Sequence, residues 1–380
     1  MHERIEEIQS SLSHRDYSLA KRRMLDLSLD TGDTSLLKEA IRWSKTYHTQ
    51  AGTGTGEEAP EAFRQAAEGL LNGLRNYPQT GNAAPQPLLI ANDISKKYSK
   101  GNFSLKPISL QVTTGSVGGV VGENGNGKTT LLRCLAGQLA HDTGTIQFSG
   151  LRQPDDYQVK NHVAFIPQRI PRWYGFLQDN LHFSAALSGV RGEENSLMVS
   201  FMLERLNLSQ YAHLTWNQLS SGYRTRFEIA RVLLQRPSLL ILDEPLANLD
   251  INAQQTLLTD LRYLAKSVRH PMGILLSSQQ LHEVEKIADI VYFIKEGHCL
   301  FTTSDTAAPD TCMIEIETTA GREALQQVFG EGEMQVHYNG SYYTLTSSAL
   351  SPQHLLTALL QKGISITYFR DITRSTKRFF

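Results

Sequence analysis

Gly122, Gly127, Lys128 and Thr129 stand at the spacing of a phosphate loop, and Gly125 adds a third glycine between them. Glycines are required there because several backbone N–H groups must turn inward around a phosphate with no Cβ atoms in the way. The Lys128 ammonium then reaches the β- and γ-phosphates of a nucleotide, and the Thr129 hydroxyl binds Mg2+. A helix opening at this point turns its positive dipole end to the anion. Glu123, Asn124, Asn126 and Thr130 complete the loop and its first helical turn. Farther along, four apolar residues from Leu239 to Leu242 end at Asp243 and Glu244. A buried strand running out into two carboxylates fits the ligand-binding edge of a parallel sheet. In that setting Asp243 holds Mg2+, usually through water, and Glu244 polarises the attacking water as general base. An Asp-Glu pair after a strand is by itself more often a solvated turn; beside a phosphate loop it reads as a hydrolytic pair.

These residues need a scaffold. From about Leu88 to about Ser304 short strand-like runs alternate with helical segments, the grammar of an α/β domain with a largely parallel sheet. Residues 1–50 instead show helical spacing, with apolar sets Ile5, Ile8 and Leu12, then Leu19, Met24 and Leu27, then Leu37, Ile41 and Trp43, and turns at His14–Asp16 and Asp30–Asp33. They predict a small bundle of helices, each with one apolar face. Residues 51–87 read as a linker containing one helix, Phe63 to Leu74. The tail, 305–380, reads strand, helix, strand, strand, helix, strand, the order of a small ferredoxin-like βαββαβ module. Asn339-Gly340 between two of its strands predicts a type I′ hairpin, in which both residues take positive φ.

The 380 residues are 40% hydrophobic and 20% charged, with 37 Lys and Arg against 38 Asp and Glu. That length suits about two or three domains. A formal net charge of −1 argues against a broad nucleic-acid-binding surface, which needs a basic excess to replace phosphate counterions. Cys134, Cys299 and Cys312 are too few and too scattered for a disulfide framework or a Cys-rich metal site, and point to a reducing cytoplasm. The N-terminus lacks the apolar core of a signal peptide, and no window reaches the roughly 18 to 20 apolar residues needed to cross a bilayer. If the protein works at a membrane, another chain supplies the spans.

Taken in order, these motifs resemble the nucleotide-binding domain of ATP-binding cassette (ABC) proteins over residues 88–304. The implied fold class is an α/β P-loop NTPase cassette with a helical insert, preceded by the bundle and followed by the βαββαβ module. The resemblance implies ATP and Mg2+ as ligands and brings in further residues. Tyr98 in ISKKYSKG is similar to the A-loop aromatic that stacks on adenine. Gln168 in VAFIPQ resembles the Q-loop glutamine, a Mg2+ and water ligand that also senses the membrane partner. LSSGY, Leu219 to Tyr223, sits where the family has LSGGQ, which implies that Ser220, Ser221, Gly222 and Tyr223 meet the ATP bound by an opposite subunit at a helix N-terminus. Asn248 to Asp250 resembles the D-loop connecting the two sites. There are two departures. Ser221 and Tyr223 replace a glycine and a glutamine of the signature, and Gln279 in LLSSQQLHEVE occupies the switch-histidine position, with His282 on the following helix. A glutamine can donate a hydrogen bond to the γ-phosphate, but it carries no imidazole charge and shuttles no proton. Catalysis then falls to Glu244, Gln168, Gln279 and Lys128, and hydrolysis is expected to be slow or to depend on a partner subunit.

The family implies a head-to-tail dimer with each ATP between one subunit's phosphate loop and the other's signature, closing on binding and reopening on hydrolysis. One cassette per chain, without a tandem copy or a long coiled coil, resembles transporter ATPases. The helical insert from Asn180, with PRWYGF from Pro171, is similar to the surface by which transporter cassettes dock on membrane helices. The C-terminal module is similar to those of exporter-branch ATPases. Arg370, Arg374, Lys377 and Arg378, beside Asp371, suit an acidic partner face or anionic lipid, or are a solvated basic tail. The expectation is the ATP-hydrolysing subunit of a membrane export system, peripheral on the inner face of the cytoplasmic membrane. Its expected partners are a second ABC ATPase subunit, identical or not, and a separately encoded transmembrane permease, with no nucleic acid. The competing expectations are a soluble regulatory or ribosome- or nucleic-acid-linked cassette ATPase, and an ATP sensor without turnover.

Overall fold

A computed structural model describes residues 2–50, 61–77, 84–99, 101, 103–149, 159–247, 249–303, 311–329 and 334–373. The chain divides into two compact units, Met1–Leu300 and Phe301–Phe380.

The first unit opens with helices α1 (His2–Ser13), α2 (Tyr17–Thr31), α3 (Thr34–Gln50) and α4 (Glu61–Arg75). The Asp16 side chain caps α2 by accepting from Leu19 N, and Gly32 ends it at φ 74°, a left-handed C-cap that costs glycine nothing. The helix expected inside the linker is α4, and it joins the other three. Phe63 stacks on Trp43 with ring centroids 4.7 Å apart, and its carbonyl accepts from Trp43 Nε1 at 3.1 Å.

The cassette then runs β1 (Pro87–Lys97), β2 (Ser104–Thr113), β3 (Val117–Val121), α5 (Lys128–Leu135), β4 (Thr143–Phe148), α6 (Val159–His162) and β5 (Val163–Ile166). A helical excursion follows: α7 (Leu177–Leu187), α8 (Gly192–Arg205) and α9 (Ser221–Leu233). The chain returns through β6 (Leu239–Leu242), α10 (Ile251–Ala265), β7 (Gly273–Ser278), α11 (Leu281–Glu285), β8 (Ile290–Lys295) and β9 (His298–Thr302). The main sheet has the order β5-β6-β7-β3-β8-β9, and every pair from β5 to β8 is parallel. β3, β6 and β7 are buried at every position, as strands covered on both faces are. Because these strands are parallel, whatever follows their C-terminal ends emerges at one edge of the sheet. A separate antiparallel sheet, β2-β1-β4, was not distinguished by the sequence reading; its Leu89, Ile94 and Ile108 pack with Leu131 and Leu135 of α5.

The single apolar face expected of α2 needs correction. The helix buries Lys21, Arg22, Arg23, Asp26 and Asp30 together with Met24 and Leu27. The reason is that α8 and α10 of the cassette supply ionic partners. Arg205 on α8 grips Asp26 with two hydrogen bonds of 2.9 Å and pairs with Asp260 of α10 at 2.8 Å. Arg22 Nη1 donates to both Asp260 oxygens at 2.9 Å. Asp30 accepts from Arg4 Nη1 at 2.8 Å and from Ser267 Oγ at 2.6 Å. Desolvation pushes the Asp26 carboxyl up, whereas at Asp260 burial is outweighed by Arg205 and Arg22, which hold that carboxyl down.

The second unit contains β10 (Cys312–Thr318), α12 (Arg322–Val328), β11 (Gln335–Tyr338), β12 (Tyr343–Ser347), α13 (Pro352–Gln361) and β13 (Ile366–Asp371). Its sheet is antiparallel in the order β11-β12-β10-β13, over a core that includes Ile314, Ile316, Leu325, Leu345 and Leu355. The type I′ expectation for Asn339-Gly340 is corrected. Of the pair only Gly340 has positive φ (91°), and strand pairing stops at Tyr338 and Tyr343, which leaves a four-residue loop. The Asn339 side chain accepts from Tyr342 N at 2.9 Å, and this local bond replaces the left-handed conformation. Of the basic tail, Arg374, Lys377 and Arg378 lie outside the described residues.

Candidate active site

β3 delivers the glycine loop to α5. Gly122 passes so close to β8 that a Cβ on it would sit 2.2 Å from Ile294 O, and its N–H donates to Ser278 O at 3.4 Å, which ties the loop to the end of β7. Gly127, at φ 102°, is the N-cap of α5, and a Cβ there would meet Phe103 at 2.6 Å. With no side-chain cap, the N-terminal end of α5 is left to an outside acceptor, the arrangement of an anion site. Asn126 is clasped from the β8–β9 turn: its Oδ1 accepts from Glu296 N at 2.9 Å and its carbonyl from Gly297 N at 3.2 Å. Glu123, Asn124, Gly125 and Thr129 are exposed along the rim. The Thr130 hydroxyl and Tyr98 OH are 3.2 Å apart and hydrogen-bonded, which brings the partly exposed Tyr98 ring beside the loop.

Lys128 is buried, and its Nζ donates to Gly122 O at 2.6 Å and to Glu123 O at 3.1 Å. The same ammonium lies 3.1 Å from Glu244 Oε1. The cation of the phosphate loop and the carboxylate that follows β6 therefore meet at one point. Glu244 Oε1 is buried, and its close partner among the described residues is this Lys128 ammonium. Glu244 also has φ 50°, uncommon for a residue with a side chain, and it precedes Pro245, which normally favours an extended predecessor. Such a conformation persists only where the surroundings over-determine it. Ser277 on β7, fully buried, is one restraint: its hydroxyl accepts from Glu244 N at 2.8 Å and donates to Asp243 Oδ1 at 2.7 Å. Sequence reasoning passed over Ser277; the available signal was a pair of serines ending an otherwise apolar run, since a buried hydroxyl needs partners.

Gln168 follows β5 and lines a cleft of about 230 Å³ with Asp243, Glu244, Ser221, Arg224 and Thr225. Ser220 is the N-cap of α9 by backbone position, without a side-chain cap bond, and both Ser220 and Ser221 are exposed. Gly222 backs onto Leu249, whose Cδ2 would lie 3.0 Å from an added Cβ. Tyr223 turns toward its own chain: its hydroxyl accepts from Tyr211 OH at 2.9 Å, with the rings 4.1 Å apart. Gln279 is exposed immediately after β7, and His282 is exposed on α11. Asp250 is the N-cap of α10 and accepts from Ala253 N at 2.9 Å, while Asn248 lies outside the described residues.

Thr129, Asp243 and Gln168 offer the hard oxygen donors that Mg2+ takes. Among the described residues no group of three His, Cys, Asp or Glu could hold a metal unaided. A Mg2+ ion would share its shell with phosphate oxygens and water, its usual arrangement in phosphoryl-transfer sites, so the donor set fits. On the helical excursion, Tyr174, Phe176, Phe183 and Leu187 are exposed. Trp173, read as part of an outward apolar segment, is instead buried; it stacks on Trp216 at 5.0 Å and donates to Glu228 Oε2 at 3.1 Å.

A buried parallel sheet, a glycine loop opening a helix, and a loop lysine meeting a carboxylate from another strand end define a P-loop nucleoside triphosphatase. Residues 105–247 match the family described as ABC transporter. The chain is 28% identical over 297 residues to an uncharacterized ABC transporter ATP-binding protein, YxlF, of Bacillus subtilis, covering 76% of this chain and 96% of that one. It is 30% identical to the phosphonates import ATP-binding protein PhnC of Bdellovibrio bacteriovorus, covering 67% and 98%. Among solved structures it is similar to cbiO1 from Clostridium perfringens, part of the ABC transporter complex cbiONQ, with a TM-score of 0.51 and 26% identity over 57% of this chain and 88% of that one. The ATP-binding cassette MJ0796, a dimer in a post-hydrolysis state bound to ADP and Pi, shares the fold at a TM-score of 0.51 and 20% identity, over 57% of this chain and 97% of that one. The chain belongs to the ABC transporter family, as an ATP-binding subunit and an ATPase. No described helix is long and apolar enough to cross a membrane.

Proposed function

We propose that this subunit works as a head-to-tail nucleotide-sandwich dimer, homo- or heteromeric, on the inner face of the cytoplasmic membrane, and that its ATP hydrolysis drives an export complex built with a separate transmembrane permease. The observation that carries the catalytic part is the 3.1 Å approach of Lys128 Nζ to Glu244 Oε1. In this reading Tyr98 stacks on adenine, Gly122 to Thr130 wrap the phosphates and Lys128 supplies the charge that offsets them. Thr129, Asp243 and Gln168 would hold Mg2+, which would supply charge neutralisation at the phosphates. Glu244 polarises the attacking water and Gln279 contributes a hydrogen bond in place of an imidazole, which makes turnover slow. Ser220, Ser221 and Gly222 face the partner's γ-phosphate. Tyr223 holds the start of α9 through Tyr211, and the segment of Asn248 and Asp250 joins the two sites.

The exposed Tyr174, Phe176, Phe183 and Leu187 support docking to a membrane protein. Export is the direction suggested by the resemblance of the C-terminal module to those of exporter ATPases, although the relatives include proteins named as importers. The test is co-expression with a candidate transmembrane permease, followed by reconstitution into proteoliposomes. ATP-dependent movement of cargo away from the subunit-bearing face supports export; movement the other way makes it an importer. Recovery only with ribosomes or nucleic acid would establish the soluble regulatory reading instead.

A further inference from the structure

Ser277 is the residue that both carboxylate positions share. The Glu244 N–H can only donate a hydrogen bond, so the hydroxyl turns its lone pair to Glu244 N and its hydrogen to Asp243 Oδ1. That setting fixes one oxygen of Asp243 and helps to hold the left-handed backbone at Glu244. The next residue does different work. Ser278 Oγ accepts from Gln280 N at 2.9 Å, and its carbonyl accepts from Gly122 N at 3.4 Å. The last two residues of β7 therefore divide their bonds, one to the carboxylates after β6 and one to the phosphate loop and the turn that carries Gln279.

We propose that Ser277 is a positioning residue for hydrolysis, one that orients the Asp243 carboxylate for Mg2+ and the Glu244 carboxylate for water through its bridging hydroxyl. The proposal rests on the reading of Asp243 and Glu244 given above. With alanine at this position a buried acceptor and a buried donor lose their partner, whereas cysteine fills the site but forms only weak hydrogen bonds.

The experiment compares the full-length wild type with Ser277→Ala, Ser277→Cys and, as a control, Glu244→Gln. ATP affinity is measured in EDTA and in Mg2+, alongside kcat, the Mg2+ concentration for half-maximal rate, and the melting temperature. For both Ser277 variants the expected result is ATP affinity in EDTA within about twofold of wild type, a kcat lower by about tenfold, and a requirement for roughly tenfold more Mg2+. The added affinity that Mg2+ gives ATP should shrink in parallel. Wild-type Mg2+ dependence and kcat in Ser277→Ala would overturn the proposal. So would recovery of both in Ser277→Cys, or an equal loss of ATP affinity with and without Mg2+, because either marks a packing role. Wild-type turnover in Glu244→Gln refutes the reading of Glu244 itself, an outcome told apart because Ser277 is intact there.

Discussion

Lys128 and Glu244 meet at 3.1 Å, so in the function proposed above one buried point carries both the charge for the phosphates and the base for the water. Replacing Glu244 by Gln keeps the shape and removes the base. Phosphate release is expected to fall by at least about a hundredfold while ATP binding persists, checked by a turnover assay beside equilibrium nucleotide binding. At the exposed position after β7 the chemistry is the reverse case, a site where an imidazole is absent. Gln279→His should raise kcat several-fold and Gln279→Ala should lower it; a purified homodimer with ordinary turnover, indifferent to Gln279→Ala, would refute the slow-switch reading. The phosphate loop and Asp243-Glu244 were legible in the sequence because their signal is local, a glycine spacing before a helix and two acids ending an apolar strand. Ser277 was not, because its meaning comes from a neighbouring strand: the hydroxyl is informative only once β7 lies beside β6.

At the scale of elements, α2 shows the same limit more strongly. Arg22, Arg23 and Asp26 read locally as a solvated face, because their partners Arg205 and Asp260 are on helices far along the chain. Periodicity found the helices α1 to α4 but could not see what covers them. Removing Asp26 alone, as Asp26→Ala, leaves the Arg205 guanidinium buried with half its ligands, and should cost about 3 to 5 kcal/mol in denaturant unfolding. The double variant Asp26→Leu with Arg205→Met should recover much of that loss, since a matched apolar pair carries no desolvation penalty. Lys21 gives a second check. Burial lowers its pKa from 10.5 to about 8 against the pull of Glu204, with Arg22 adding to the decrease. The folded state therefore disfavours the charged form; the penalty is fully present below about pH 8 and fades as pH rises toward 10.5. Unfolding free energy should climb across that window in the wild type relative to Lys21→Met. The comparison between the two is needed because burial raises the Cys134 thiol to about 11, which makes stability fall above pH 9 in both proteins.

At the scale of the whole molecule, the cassette offers two surfaces whose use is measurable. In the proposed nucleotide sandwich binding closes the dimer and hydrolysis reopens it, so Glu244→Gln with ATP should shift the protein from monomer to dimer on size exclusion. Phe183→Asp and Tyr174→Asp place charges at exposed apolar positions and, on the proposed docking, are expected to abolish co-purification with a transmembrane permease, with the melting temperature confirming an intact fold. The parallel sheet of the cassette was readable as a class of fold, whereas the antiparallel β2-β1-β4 sheet was not, because short alternating strands do not announce which sheet they join. The ion cluster around α2 also bears on how the chain is made. Arg205 follows Asp26 by 179 residues and Ser267 follows Asp30 by 237, so α2 carries charges some of whose partners are translated long after it. At about 5 to 20 residues per second the wait is roughly ten to fifty seconds. Over that interval Arg22 and Asp26 stay in water or pair within the bundle, as Asp30 does with Arg4, and docking onto α8 and α10 can follow only once those helices have been made.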